Sequence, residues 1–198
     1  TPKCRRLGSI GKKFPSVEVK IDDPDEEGIG ELMAKGPSIM LGYYDNEEAT
    51  KSALEPDGWF HTGDLARIDK DGFIYIAGRK KSVIVLNNGK NVFPEEIETL
   101  LNKVECIKET FVYEKKEDDG DVKVCVEIVY DKEMIKDLYH IEDEEKIKEF
   151  LWEKVKEVNK LMPKYKYVRE MIATEEPLIK TTTLKIKRHE ELKKVLGK

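Results

Sequence analysis

Short runs of alternating apolar and polar residues dominate the first part of the chain. This two-residue period is typical of half-buried β-strands, and turn-forming residues such as those at 69–72 separate the runs. Asn46 is a suitable N-cap for one short helix, which we expect over residues 47–54. We therefore predict a small β-barrel-like subdomain or compact sheet over residues 1–79. The segments that predict strands are residues 17–21, 30–35, 65–68 and 73–77.

Helical spacing of apolar residues begins after residue 80. Residues 94–104 and 142–161 place apolar side chains at three- and four-residue intervals, which predicts two helices with one buried face each. The predicted fold class is α+β, with a β-rich subdomain over residues 1–79 followed by a compact α+β C-terminal domain over residues 80–198. The other elements expected in the second part are strands over 83–86, 91–93, 110–113, 122–130 and 167–173, a loop over 175–187 and a terminal helix over 190–196.

The join between the two parts contains Gly78-Arg79-Lys80-Lys81 and no linker rich in proline, glycine or serine. A short connection concentrates any relative motion in a few backbone angles, so Lys81 marks a candidate hinge. One continuous domain with a change of local pattern fits the sequence equally well.

Charge and cysteine content exclude several classes of protein. The chain has 36 Lys and Arg against 41 Asp and Glu, a net charge of −5, which argues against a generally basic nucleic-acid-binding domain. No apolar run approaches the roughly 20 residues of a membrane span, and the N-terminus lacks a secretory signal. Cys4, Cys106 and Cys125 have no metal-ligand spacing. We expect reduced thiols in a cytoplasmic protein, with no metal site, membrane anchor or nucleic-acid partner in this chain.

Three residues have the chemistry to contact a nucleotide. Asp64 follows Thr62-Gly63 directly before a predicted strand segment, and a carboxylate there can accept two hydrogen bonds from the vicinal diol of a ribose. Arg79 can pair with Asp64 or contact a nucleotide oxygen. Gly89 can let the backbone approach a ligand closely. Each also has a simpler interpretation, which is turn formation for Asp64 and Gly89 and a surface cation for Arg79.

The segment over residues 177–188 combines hydroxyl groups with lysines in a predicted loop. A lysine is a compact cation on a flexible stem, so one of these residues can reach a neighbouring site and neutralise developing phosphate charge. Composition alone fits a solvated basic tail as well.

Taken together, five segments resemble the adenylate-forming acyl-CoA synthetase family in their order and spacing. They are residues 40–50, 58–65, 78–81, 89–98 and 181–188. The wording Asn88-Gly89-Lys90-Asn91-Val92-Phe93-Pro94-Glu95-Glu96-Ile97-Glu98 is most similar to the long-chain fatty acid branch of that family.

The resemblance implies a two-step reaction and a role for each candidate residue. Such enzymes activate a carboxylate with ATP to give an acyl-adenylate, and a rotation of the C-terminal domain then lets coenzyme A displace AMP. By this resemblance Asp64 and Arg79 bind the ribose, and Lys81 is the hinge. Gly89 belongs to the loop that lines the pantetheine path, and Lys185 is the catalytic lysine of adenylation.

Two departures from the family pattern matter. Leu184 stands before the catalytic lysine, where the wider family often has glycine, so Lys180 and Lys187 remain alternatives to Lys185. The phosphate loop and adenine motif of the large N-terminal adenylation domain are absent from this sequence.

We therefore expect a C-terminal fragment of a longer ligase that is inactive without its missing N-terminal domain. Its small-molecule substrates would be ATP, or AMP in reverse, and coenzyme A, with Mg²⁺ accompanying ATP in the parent enzyme. The alternative is a stand-alone, non-catalytic module that binds a nucleotide or a partner protein.

Overall fold

The computed structural model describes residues 5–118 and 120–197. It divides into two compact units, Thr1–Val83 and Ile84–Lys198. Both are built from small sheets and short helices, which confirms the predicted α+β class. The functional boundary placed between residues 79 and 80 stays a prediction.

Unit 1 is an antiparallel sheet with one helix. Its five strands follow the order β1-β5-β4-β3-β2, so the described part is an open compact sheet and not a closed barrel. The helix α1 (Glu47–Ala53) begins as predicted at Asn46, whose side chain accepts a hydrogen bond from the Ala49 amide. The strands are β1 (Gly11–Lys12), β2 (Glu18–Asp22), β3 (Gly30–Lys35), β4 (Phe60–Ile68) and β5 (Phe73–Arg79).

A small apolar cluster holds this sheet together. Leu32, Ala66 and Ile74 are buried, and partly buried side chains of β2 and β4 pack on them. The alternating residues recognised in the sequence supply this cluster, since every second side chain of a strand points to the same face. Because this apolar cluster is small, we expect hydrogen bonds and ion pairs to contribute much of the stability near the candidate site.

Unit 2 places helices on a three-stranded sheet. Strand β9 is central, antiparallel to β8 and parallel to β10, as expected when a helix makes the crossover between β9 and β10. Its elements are β6 (Ile84–Val85), β7 (Asn91–Val92), α2 (Pro94–Leu101), β8 (Ile107–Lys116), β9 (Val122–Tyr130), α3 (Lys132–Tyr139), α4 (Glu144–Asn159), β10 (Glu170–Thr174) and α5 (Arg188–Leu196).

The predicted apolar faces form the core of unit 2. Ile147, Leu151 and Val155 of α4 are fully buried, as are Ile97 and Leu101 of α2. Burial of each such side chain contributes roughly 1.5–3 kcal/mol, so this core is far larger than that of unit 1.

Helix α3 was not expected from the sequence. Asp131 caps it by accepting a hydrogen bond from the Met134 amide, and it ends at His140, which has a φ of +58°. Only Ile135 of this helix is buried. The sequence nevertheless carried a signal that the prediction missed, because apolar residues recur here at helical spacing, namely Met134, Ile135, Leu138 and Tyr139.

Cys106 and Cys125 are buried free thiols, whereas Cys4 lies outside the described residues. Burial raises the pKa of Cys125 to about 11, which suits the packing role expected for it. No helix in the described part of the chain has the length and apolar character needed to cross a membrane.

Candidate functional site

Asp64 and Arg79 face each other across the β4–β5 ladder in unit 1. The Arg79 Nη1 atom lies 2.9 Å from Asp64 Oδ1 and donates a second hydrogen bond to the Thr62 carbonyl at 3.1 Å. Both side chains keep access to solvent, with 57% of Arg79 and 34% of Asp64 exposed. The structure thus brings together the two residues that the sequence proposed as ribose contacts.

Asp64 lies within strand β4 rather than directly before a strand, and the Thr62 side chain fixes the strand segment that precedes it. The Thr62 hydroxyl donates to the Leu32 carbonyl at 2.6 Å and accepts from the Asp64 amide at 3.1 Å. Gly63 has a φ of +72°, a conformation that disfavours other residues. A β-bulge follows at Leu65/Ala66, and bulges of this kind re-aim side chains beside functional sites.

Glu31 joins this site, and the sequence reasoning missed it. Its buried carboxylate accepts hydrogen bonds from His61 Nδ1 at 3.0 Å, from Lys80 Nζ at 2.8 Å and from the Gly63 amide at 3.2 Å. Burial alone would raise the pKa of Glu31, but the hydrogen bonds from Lys80 and His61 outweigh it and hold that pKa below its ordinary value. The available signal was a glutamate followed directly by buried apolar residues of β3.

A pocket of about 560 Å³ opens beside these groups within unit 1. Arg79, Gly63 and Thr62 line one part of it, and the half-exposed ring of Tyr43 lines another. This volume falls in the range of small-molecule sites, and a ring near a guanidinium suits a nucleoside.

Lys81 is exposed and lies in a short 3₁₀ helix, Lys80–Ser82, just before the end of unit 1 at Val83. Its neighbour Lys80 is held by Glu31, whereas no ion pair or hydrogen bond of the Lys81 side chain is found among residues 5–118 and 120–197.

Gly89 occupies the positive-φ position of the β6–β7 turn in unit 2. Its amide donates to the Leu86 carbonyl at 2.8 Å, and the Leu86 amide donates to the Lys90 carbonyl at 3.0 Å. This is a three-residue loop with a glycine bulge, and Gly89 has a φ of +75°. A Cβ atom added to Gly89 would meet nothing within 4 Å, so the face of this turn is open.

A second pocket, of about 620 Å³, lies next to that turn. Asn87 lines it and also holds the turn to the β8–β9 loop through a 3.1 Å hydrogen bond to the Gly120 carbonyl. Tyr165, Tyr167 and Arg169 line the opposite part. Aromatic rings with a nearby guanidinium are the groups that bind an adenine ring and a phosphate.

Lys185 ends a turn of the same hydrogen-bonding type. The Thr181 amide donates to the Lys185 carbonyl at 2.8 Å, and the Leu184 amide donates to the Thr181 carbonyl at 2.9 Å. Leu184 has a φ of +61° and occupies the place that Gly89 has in its own turn. Glycines fill the equivalent position in four more turns of this chain, Gly28, Gly58, Gly72 and Gly120.

The lysines of this loop differ in their contacts. Lys180 Nζ lies 2.5 Å from Glu109 Oε1, and Lys187 Nζ lies 3.0 Å from Glu190 Oε1. The Lys185 ammonium has no partner in the part of the chain that the structure describes. This difference favours Lys185 over the two alternatives, because an engaged ammonium must first break its ion pair.

Residues 81–195 match the family model described as the AMP-binding enzyme C-terminal domain. The chain belongs to this family. Over 97 residues it is 48% identical to the long-chain-fatty-acid–CoA ligase ACSBG2 of Gallus gallus, covering 49% of this chain and 13% of that protein. Over 229 aligned residues it is 32% identical to fatty acyl-CoA synthetase B of Dictyostelium discoideum, covering 98% of this chain and 34% of the relative.

Solved structures agree with this assignment to the AMP-binding family. An o-succinylbenzoate CoA synthetase from Bacillus subtilis in complex with its acyl-adenylate is 26% identical with a TM-score of 0.75, over 93% of this chain and 35% of that one. ATP-bound MatB from Rhodopseudomonas palustris is 28% identical with a TM-score of 0.73, over 96% and 37%. The chain therefore spans about a third or less of the proteins that it resembles here.

The loop over residues 177–188 is called the lysine loop below. Two buried glutamates hold its ends in this AMP-binding enzyme C-terminal domain. At one end, the carboxylate of Glu98 accepts two hydrogen bonds from Arg188 Nη2, at 2.9 and 2.7 Å. At the other, the fully buried Glu191 accepts a hydrogen bond from the Ile179 amide. The tip with Lys185 is thus exposed, while the base of the loop is fixed to α2 and to α5.

Proposed function

We propose that this chain is the C-terminal part of an ATP-dependent acyl-CoA ligase that acts on fatty acids. The longer enzyme would convert a carboxylate and ATP to an acyl-adenylate and pyrophosphate, and would then form a thioester with coenzyme A and release AMP. The family match and the similarity to long-chain-fatty-acid–CoA ligases support this proposal. Similarity to an enzyme solved with its acyl-adenylate supports the intermediate.

Asp64 and Arg79 would bind the ribose of the nucleotide. A carboxylate accepts hydrogen bonds from both hydroxyls of a vicinal diol, and the guanidinium of Arg79, 2.9 Å away, orients that carboxylate. Both side chains keep some access to solvent and Arg79 lines a pocket of suitable size, so a ligand can reach the pair without unfolding the strands.

Lys185 would act in the adenylation step. Its ammonium would lie between the substrate carboxylate and the α-phosphate, reducing the repulsion between two anions and holding them in line. The observation that carries this role is the unpaired ammonium at an exposed loop tip, among described neighbours that are all engaged.

Lys81 would serve as the hinge between the two half-reactions. Because Lys80 is held by Glu31, changes of backbone angle would be confined to the few residues after it. Rotation would remove Lys185 from the site after adenylation and bring the Gly89 turn to the thiol path. A single site could then catalyse both adenylation and thioester formation.

Coenzyme A would use the second pocket for its nucleotide end. Arg169, which lies 5.9 Å from the Tyr167 ring centroid, offers a cation for a phosphate, and Lys90 lies 4.5 Å from the ring centroid of Tyr165 beside the same pocket. The open face of Gly89 next to this pocket leaves room for an extended thiol arm.

The fragment alone would not form an acyl-adenylate. The phosphate-binding loop and acyl pocket would belong to an N-terminal adenylation domain, together with the Mg²⁺ that accompanies ATP. In the described part of the chain, no cluster of three or more metal-ligating side chains is present to hold that ion.

The test separates the two half-reactions in the full-length enzyme. Lys185→Ala should lower ATP–pyrophosphate exchange by about 10²–10³-fold, the loss expected for one group that stabilises the transition-state charge. Thioester formation from a supplied acyl-adenylate should stay near the unmodified rate. Lys187→Ala is the matched control, since it removes a neighbouring lysine of the same loop that is already paired.

Three outcomes would count against the proposal. Equal loss of both half-reactions would remove the specific role of Lys185, and a larger effect of Lys187→Ala would transfer that role. Absence of any carboxylate-dependent exchange in the unmodified full-length protein would favour the non-catalytic nucleotide-binding module.

A further inference from the structure

The Glu31 carboxylate contacts residues next to both members of the candidate ribose pair, Asp64 on β4 and Arg79 on β5. One carboxylate oxygen accepts a hydrogen bond from the Gly63 amide at 3.2 Å, and the other accepts one from Lys80 Nζ at 2.8 Å. Gly63 directly precedes Asp64, and Lys80 directly follows Arg79. One buried side chain therefore fixes a residue next to each member of the pair.

The connection is stronger than an ordinary surface contact. The Glu31 side chain is only 6% exposed, whereas the Lys80 side chain is 58% exposed and reaches inward to meet it. Charge-assisted hydrogen bonds to a buried carboxylate are roughly twice as strong as neutral ones. Gly63 has a φ of +72°, which glycine adopts without strain, so the hydrogen bond from its amide to Glu31 helps to select this conformation.

His61 completes the cluster and lies between Glu31 and Glu55. Its Nδ1 atom lies 3.0 Å from Glu31 Oε2, and its Nε2 atom lies 3.3 Å from Glu55 Oε1. Glu55 contacts the same imidazole, but within the described residues it makes no hydrogen bond or ion pair with Gly63 or Lys80. The two glutamates thus differ in the property under test, which is the connection to the ribose pair.

We propose that Glu31 is a positioning residue for nucleotide binding, which fixes the separation of Asp64 and Arg79 through Gly63 and Lys80. This inference rests on the proposed function. Glu31 also lines the pocket of about 560 Å³, and its positioning role would be exerted through these two neighbours. Its removal would let the two strands adjust independently, so the carboxylate would lose the geometry that recognises two adjacent hydroxyls.

The experiment compares ATP with 2′-deoxy-ATP in pyrophosphate exchange by the full-length enzyme. Glu31→Gln should lower the preference for ATP, measured as the ratio of the two kcat/KM values, by about tenfold, the effect of weakening one hydrogen bond to a charged group. The loss should fall on ATP, because the deoxy analogue lacks the diol. Glu55→Gln should leave the ratio unchanged, since it perturbs only the outer side of His61.

Two further measurements test each side of the Glu31 connection separately. Lys80→Met removes only the Arg79 side of the connection and leaves an exposed position, so it should fold and lower the ratio by a smaller factor. Amide hydrogen exchange of Gly63 in the 198-residue chain should accelerate about tenfold in Glu31→Gln and not in Glu55→Gln, independently of any catalysis.

A purely structural role would reduce exchange with both nucleotides equally and leave the ratio intact, which would overturn the inference. Unchanged Gly63 exchange in Glu31→Gln would overturn it as well. If the unmodified enzyme shows no ATP–pyrophosphate exchange, the proposed function fails. Amide hydrogen exchange of Gly63 still decides whether Glu31 fixes the backbone at that residue.

Discussion

Two buried glutamates, one in each unit, have opposite electrostatic surroundings. Glu31 on β3 is 5% exposed and meets the cation Lys80 and the imidazole of His61. Glu127 on β9 is 2% exposed, and it shares the single cation Lys194 with the fully buried Glu191. The pKa of Glu31 is lowered despite its burial, whereas burial and the Glu191 carboxylate raise the pKa of Glu127 to about 7.

The difference shows that burial alone does not decide the charge of a carboxylate. Desolvation favours the neutral acid at both positions, and the balance of neighbouring cations and anions determines which form wins. Beside the candidate ribose pair, the result is a fixed negative charge. In unit 2, Glu127 instead retains its proton to near neutral pH, and it lies beside Glu191, whose carboxylate accepts a hydrogen bond from the Ile179 amide.

The largest expected effect concerns Glu98, another buried glutamate, which has an arginine partner. Arg188→Ala should lower the free energy of unfolding of unit 2 by about 3 kcal/mol, because it leaves the Glu98 carboxylate buried without its cation. Urea unfolding in a Trp59→Phe background, where Trp152 reports on unit 2, measures this change.

The control for that experiment is Lys187→Ala, which removes an exposed ion pair and should change stability by less than about 1 kcal/mol. A loss in Arg188→Ala no larger than that of the control would show that the Glu98 pair contributes little.

The next effect is a pH dependence of unit 2. The folded pKa of Glu127, about 7, is above its ordinary value of 4.5, so the folded state binds more protons between these limits. This contribution to stability is complete below pH 4.5 and is lost as the pH rises through 7. The loss should be on the order of 2 kcal/mol, followed by Trp152 fluorescence during urea unfolding.

Glu127→Gln should remove most of this slope, because a neutral amide has no proton to lose. A variant that keeps the same slope would assign it to another group.

Unit 1 should respond to pH with the opposite sign. The pKa of Glu31 is lowered, so its contribution is present above the ordinary value of 4.5 and is lost as the pH falls through the folded pKa. In a Trp152→Phe background, Trp59 reports on unit 1, and acidification below pH 4.5 should weaken it. Glu31→Gln should flatten that response, and an equal response in the variant would contradict the charge assigned to Glu31.

Sequence reasoning found the elements and residues whose signals are local. Strand β3, the Asn46 cap and the buried face of α4 follow from periodicity and capping chemistry. The contact between Asp64 and Arg79 could be proposed because both lie in motifs. The Glu31 network could not, since it depends on the register between β3 and β4 and on the path of the chain to Lys80.

The lysine loop shows the same limit at the level of one backbone angle. Leu184 departs visibly from the expected glycine in the sequence, but only the structure shows that it takes the conformation a glycine would have. The conformational free-energy cost at Leu184 depends on its φ angle, and the amino-acid sequence does not report that angle directly.

The smallest effects compare the turns at Gly89 and Leu184, which share hydrogen bonds and a positive φ. Leu184→Gly should raise the free energy of unfolding of unit 2 by about 0.5–1 kcal/mol, because it relieves a left-handed conformation that costs an L-residue roughly 1–2 kcal/mol, less the greater chain entropy of glycine. Gly89→Ala should lower it by about 1 kcal/mol, and the cost is purely conformational because the added Cβ meets nothing within 4 Å. Urea unfolding followed by Trp152 measures both variants, with Leu184→Asn, which tolerates positive φ, as the intermediate control. Equal signs for the two substitutions would show that the exposed Leu184 side chain, 78% accessible, contributes more to stability than its backbone angle costs.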